Sequence, residues 1–369
     1  MTEPPNGTSL LDRAQLRSLL AEQPRVSLAS LPTPVQEARR LREVIGGPRL
    51  LIKRDDLTGP AFGGNKTRNL EFRMVHPVSA RATLLVMALE ITSNSARQTV
   101  AAANVLGMRT VLVLKGEPPG ELQGNLLVNE LLGAEVHYVR DEQQQLAVIE
   151  AVVGEATRLG ERPMVLTSEP IFDVGSALAY AECSIELLDQ LDALDVRPDY
   201  LYMTSGGKGQ AGLVLAQKLL GARYVVHGVT VSYEYDVAPR TARIANDALS
   251  HLGLDARIAP DDVISFADHV GPGYGHVTEA ALEAMALLAR TEGIMLDPIY
   301  NGKSFACYLD HVAEGRFADD DAVVFIHTGG TPAIFSHATA LLEHLRTHPD
   351  PISAARGRRH APPTPATAS

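Results

Sequence analysis

The chain has no tryptophan, two cysteines and only 5 % aromatic residues among its 369. Cys183 and Cys307 each sit among apolar neighbours at helical spacing, so no disulfide framework or cysteine-built metal centre is expected and both read as buried thiols. Basic residues are scarce as well. The 33 Lys and Arg against 44 Asp and Glu leave a net charge of −11, which argues against a nucleic-acid or anionic-membrane surface. Any phosphate held here must be held locally. No apolar run reaches spanning length, and the opening MTEPPNGTSLLDRAQL lacks the basic and apolar regions of a signal peptide, so a cytoplasmic protein is expected. The acidic run Asp319-Asp320-Asp321 has no partnering histidines and reads as a solvated loop, so no metal site is expected.

What remains is an ordinary globular composition, 45 % apolar and 21 % charged, in a chain long enough for two lobes. Residues 1–8 and the Pro-, Ala-, Thr- and Arg-rich tail, 350–369, are expected to be disordered. Leu10 to Leu20 reads as an amphipathic helix. Thr33-Pro34-Val35-Gln36 resembles a helix cap with proline at the first position, which predicts a helix from Pro34 to Ile45.

Beyond Leu50–Lys53, strand-like and helical runs alternate. The strand-like runs are 83–88, 110–114, 135–139, 164–167, 200–203, 224–231 and 322–325, and helical patterns follow the first five of these. Such alternation predicts an α/β fold of mostly parallel sheet with helices on its faces. Ligand-binding loops then lie at the carboxyl ends of the strands.

Two loops carry unusual chemistry. Gly63-Gly64-Asn65-Lys66 brings the backbone round to a single lysine before a helical pattern, and an amine held and desolvated there can attack a carbonyl to form a Schiff base. Taken alone, the same turn also describes an exposed lysine in a flexible segment. Ser205-Gly206-Gly207-Lys208-Gly209 follows a strand and opens a helix, which suits a phosphate monoester. It is neither a Walker loop nor GxGxxG, which weakens a dinucleotide reading. A reactive lysine and a phosphate loop together suggest a cofactor that is both aldehyde and phosphate, namely pyridoxal 5′-phosphate.

Dispersed motifs then resemble a known family. Lys53-Arg54-Asp55-Asp56-Leu57, Phe62-Gly63-Gly64-Asn65-Lys66-Thr67-Arg68, Ser93-Asn94 with Arg97-Gln98, Gly271-Pro272-Gly273-Tyr274-Gly275, Leu296-Asp297-Pro298-Ile299-Tyr300 with Gly302-Lys303, and His327-Thr328-Gly329-Gly330 are similar to the 1-aminocyclopropane-1-carboxylate (ACC) deaminase and D-cysteine desulfhydrase family. The likeness runs from about Leu31 to Leu345. It implies the tryptophan-synthase-β-like fold (fold type II): two lobes of open, twisted, mostly parallel sheet. A large lobe of 9–66 plus 175–345 would face a small lobe of 67–174, and a homodimer is implied.

The resemblance also implies roles. Lys66 would bond the cofactor and move the substrate proton, Asn94 would meet the cofactor's phenolic oxygen, and Thr328 and Asn301 would lie near the pyridine nitrogen. Thr92, Ser93, Asn94 and Ser95 would receive the substrate carboxylate at a helix N-terminus. Tyr274 and Tyr300 would be acids, bases or nucleophiles on the substrate side. By themselves Ser93 also reads as an N-cap and either tyrosine as a packed ring.

Departures from the family pattern are informative. Asn69 stands where relatives carry a second phosphate-binding lysine, and Lys208 is expected to replace that cation. The run Leu89-Glu90-Ile91-Thr92-Ser93-Asn94-Ser95 replaces two glycines and gains an acid at Glu90, which predicts an altered or larger amino-acid substrate. Asn301 stands where deaminases carry glutamate, which favours β-elimination over ring opening. The expected protein is a pyridoxal-phosphate lyase or deaminase of amino acids. The alternatives are a specialised biosynthetic enzyme performing β-substitution, a non-catalytic pyridoxal-phosphate-binding protein and a dinucleotide-dependent oxidoreductase.

Overall fold

The computed structural model describes residues 10–166, 170–234 and 236–359. Ten strands form two sheets: β1 (Val35–Glu37), β2 (Arg49–Lys53), β3 (Leu84–Glu90), β4 (Arg109–Lys115), β5 (Glu135–Val139), β6 (Pro163–Val165), β7 (Tyr200–Thr204), β8 (Val225–Val229), β9 (Ile264–Phe266) and β10 (Ala322–Ile326). The larger sheet runs β1-β2-β10-β7-β8-β9 and is parallel except for β1, which pairs antiparallel with β2. The smaller runs β5-β4-β3-β6 and is wholly parallel. Apolar residues such as Leu51, Ile52, Val324 and Phe325 are buried to within 1 % in the middle of the larger sheet, as strands covered by helices on both faces must be.

The chain leaves β2, builds the whole smaller sheet, and returns to close the larger one with β10 between β2 and β7. That reversal of strand order makes a crevice at the carboxyl ends of the strands. The long helix Pro170–Ala193 brings the chain back and packs its buried face, including Tyr180 and Cys183, against the helix Lys208–Leu220 and the lysine helix Asn65–Arg73.

The expected helix from Pro34 to Ile45 is corrected to β1 followed by a shorter helix, Arg39–Ile45. Thr33 does not cap it, because its hydroxyl donates to Asp55 Oδ1 at 2.8 Å instead. Val35–Glu37 then finds backbone partners on β2. The disorder expected over 350–369 is also corrected in part: Pro351–Arg359 is helical, and Ala355 is 4 % exposed against the core built on Leu287, Phe305 and Phe325. Residues 1–9, Thr167 and 360–369, where other expectations fell, lie outside the described residues. Strand β9 and the helices Val237–His251, Glu279–Glu292 and Ala338–Thr347 belong to no pattern singled out in the sequence, whereas Asn301–Ala313 carries Cys307 at the helical spacing expected of it.

Candidate active site

Lys66 is the second residue of the helix Asn65–Arg73. The turn before it needs glycine, because Gly63 and Gly64 have φ of 58° and 125° and a Cβ on Gly63 would stand 2.3 Å from the Asp56 carbonyl oxygen. Thr58 Oγ1 grips both ends of the Gly64 peptide, accepting from its N–H at 2.8 Å and donating to its oxygen at 2.7 Å. The turn docks on the end of β10, where Asn65 N–H donates to the Thr328 oxygen at 3.0 Å. Buried Arg97 binds the Ala61 and Gly63 carbonyls, and Gln98 accepts from Thr67 N–H at 3.0 Å. The Lys66 ammonium is pushed down to about 8, first by burial and then by the positive charges of Lys208 and Arg73.

One cavity of about 270 Å³ is lined by Lys66, Glu90, Ser93, Asn94, Ser95, Ser205, Gly206, Tyr274, Tyr300 and Thr328, all singled out in the sequence. Glu90, Thr204 and Thr230 each end or directly follow a strand and Thr328 lies two residues past β10, so the cavity lies at the strands' carboxyl ends. Thr92 lines a neighbouring cavity and donates to the Tyr274 hydroxyl at 3.4 Å. Gly207, Lys208, Gly209 and Asn301 do not line the first cavity.

The phosphate loop is shorter than expected. Its helix already begins at Lys208, inside the glycine run, and Gly207 N–H is taken by Ser205 Oγ at 3.0 Å. Gly209 is a packing glycine inside the helix, where a Cβ would lie 2.8 Å from Met203 and 3.3 Å from the Tyr180 ring. What remains for an anion is the open space beside Gly206, where a Cβ would meet nothing within 4 Å, together with the first-turn N–H groups of the helix. Around it stand cations. Lys208 Nζ lies 2.6 Å from Asp173 Oδ1, Arg73 is buried one helical turn beyond Asn69, and the Arg240 side chain lies 3.3 Å from where a Gly207 Cβ would be. Asn69 Oδ1 and Thr241 Oγ1, both buried, have no hydrogen-bond partner among the described residues. A cation-rich, partly unsatisfied cradle on one side and a desolvated amine on the other fit a phosphorylated aldehyde such as pyridoxal 5′-phosphate.

Asn94 is held by Asn125, whose Nδ2 donates to Asn94 Oδ1 at 2.8 Å and whose Oδ1 accepts from Arg97 Nε at 3.0 Å. Ser93 is the N-cap of the helix Asn94–Val105, accepting from Ser95 N–H at 3.2 Å, and so aims the helix N-terminus into the cavity. Glu90, the acid gained in the run 89–95, is ion-paired with Lys115 at 2.8 Å and so is neutralised. Asn301 is spent on structure: its Nδ2 donates to Asp297 Oδ1 and the Gly329 oxygen, and its Oδ1 accepts from Thr328 N–H and Oγ1. It therefore reaches the site through Thr328. Tyr274 and Tyr300 are hydrogen-bonded to one another through their hydroxyls, and burial raises both above the ordinary tyrosine range.

Arg97, Gln98, Asn125 and Asp297 are the positioning residues that sequence reasoning left without a role. Three of them sat inside quoted motifs, and only Asn125 carried no signal.

Comparison with known proteins agrees with this geometry. A family described as "Pyridoxal-phosphate dependent enzyme" matches residues 26–329. The chain is similar to D-cysteine desulfhydrase of Serratia proteamaculans, 38 % identical over 337 residues that cover 87 % of this chain and 98 % of the relative. It is also similar to that of Yersinia enterocolitica, 37 % identical with the same coverage. Among solved structures, an ACC deaminase homologue superposes with a TM-score of 0.79 at 30 % identity, over 89 % of this chain and 99 % of that one. Threonine deaminase isoform 2 of Solanum lycopersicum, at 14 % identity, has a TM-score of 0.63 over 94 % of this chain and 92 % of that one, and shares the fold. Among the described residues no helix is long and apolar enough to cross a membrane.

Proposed function

We propose, from the premise that this chain belongs to the family of pyridoxal-phosphate-dependent enzymes, that it is a lyase removing the Cα proton and the β-substituent of a small amino acid. The observation that carries this is the desolvated Lys66 amine in the same cavity as Ser205 and Gly206.

When bound, pyridoxal phosphate supplies an aldehyde that takes up the substrate amine and a ring that accepts the electron pair left at Cα. Its phosphate would be held by the Gly206 space, the first-turn N–H groups and the surrounding positive charge, and its ring flanked by Asn94 and Thr328. The residues of the chain do the rest. Ser93 and the helix N-terminus behind it orient the substrate carboxylate, and the Lys66 amine takes the Cα proton. The paired hydroxyls of Tyr274 and Tyr300, held neutral by burial, can give a proton to the departing group. Thr328 and Asn301 are both uncharged, which favours β-elimination over ring opening. The run 89–95 turns the carboxylate end of the pocket away from the family pattern, so D-cysteine is expected to be a poor substrate.

Purified protein should absorb visible light through cofactor joined to Lys66 and lose that band in Lys66→Ala. With a β-substituted amino acid it should release keto acid and ammonia. A colourless wild type that cannot be reconstituted rejects the proposal, and rapid turnover of D-cysteine rejects the altered-substrate part alone.

A further inference from the structure

A second cavity, of about 430 Å³, adjoins the first. The two share Tyr300, and the partition between them is thin: Thr92 lines one side and Ser93 the other, while Asn125 lines the second cavity and binds Asn94 of the first. The floor of the second cavity is apolar, with Leu126, Ile299 and Ala333. Among the described residues its only charged groups are Glu117 and Glu121, both exposed, and no lysine or arginine lines it. His337, also in the lining, is held below its ordinary range chiefly by burial and adds no positive charge at neutral pH. Neither glutamate has an ion-pair partner among the described residues, in contrast to Glu90, which Lys115 neutralises.

An apolar floor ending at unpaired carboxylates matches a flexible chain with a cation at its tip. We propose that this second cavity receives the β-substituent of the substrate, and that this substituent is an elongated group ending in an amine. The proposal rests on the lyase function above and adds the substrate class. In the step itself Lys66 takes the Cα proton, the bond from Cβ to the substituent breaks with its electron pair leaving on the substituent, and the tyrosine pair protonates that group. Water then completes the balance: one β-substituted alanine and one water give pyruvate, ammonia and the protonated substituent. Tyr300, which lines both cavities, marks the side on which such a group would leave.

The holoenzyme's cofactor absorbance reports binding of three amino acids of matched length: S-(2-aminoethyl)cysteine, S-propylcysteine and S-carboxymethylcysteine, each as both enantiomers. The cationic one is expected to bind about five-fold more tightly than the neutral one, as two partly solvated carboxylates allow, and the anionic one more weakly still. Glu117→Gln with Glu121→Gln should abolish the difference between cationic and neutral ligands. Equal affinities in the wild type, or a preference that survives in the double variant, overturn the subsite while leaving the lyase function standing. A coloured protein whose spectrum responds to none of a wide panel of amino acids overturns both.

Discussion

Two charge clusters flank the lysine helix, and they are built to opposite plans. Around Asp55 the charges balance, with Asp55 and Glu186 against Lys53 and Arg68. Arg68 donates to both Asp55 oxygens at 2.8 and 2.9 Å and to both Glu186 oxygens at 2.9 Å, and Tyr180 and Thr33 complete the shell of Asp55. Burial pushes the Asp55 carboxyl up, yet Arg68 and Lys53 hold it below its ordinary range. Around Asp173, by contrast, Lys208 and Arg243 pair with one carboxylate while Arg73 and Arg240 stand near, and Asn69 and Thr241 keep unpartnered oxygens. A closed network suits holding the fold, and one left positive and incomplete suits an anion.

That contrast can be broken at four places. Arg68→Leu strands two acids in the closed cluster and should destabilise the protein by about 3–5 kcal/mol in urea unfolding. A loss under about 1 kcal/mol would show that the cluster is not structural. Lys208→Ala removes a cation from the open cluster and should weaken pyridoxal phosphate about ten-fold or more in fluorescence titration of the apo-protein, as losing a charge-assisted interaction would. Unchanged affinity would rule Lys208 out as the cation replacing a second lysine.

The third test is of pH. Lys66 must lose a proton before it attacks, so the rate of cofactor attachment to apo-protein should climb as pH rises through about 8. Lys208→Ala removes a positive neighbour that lowers this value, so its profile should move to higher pH, and a shift to lower pH would refute the coupling. The smallest effect is expected at Asn69→Ala, which removes an oxygen with no protein partner. Cofactor affinity should fall a few-fold while unfolding changes by no more than about 1 kcal/mol. A larger loss of stability would mean that Asn69 serves the fold.

Much of the architecture was legible because parallel strands buried on both faces leave continuous apolar runs, as at Leu50–Lys53 and Ala322–Ile326. β1 was misread because Thr33-Pro34-Val35-Gln36 satisfies the local rules for a helix start, and only the distant Asp55 claims the threonine. The helices Glu279–Glu292 and Asn301–Ala313 produced no strand alternation to announce them. At the site, Lys66 was legible because glycine turns are visible in one dimension. Asn301 was not, because its four hydrogen bonds go to Asp297, Gly329 and Thr328. Nor could Lys208 be paired with Asp173, 35 residues earlier, or Glu90 with Lys115, before the fold joined them.

Gly329 meets the lysine turn backbone to backbone: a Cβ there would stand 2.6 Å from the Gly64 Cα. Not even a methyl group fits between the two segments, so the level at which the Lys66 amine sits cannot be raised by substitution from below. Changes in the shape of the cavity must then come from other lining residues, among them Glu90, Ser95, Ser232 and Tyr274.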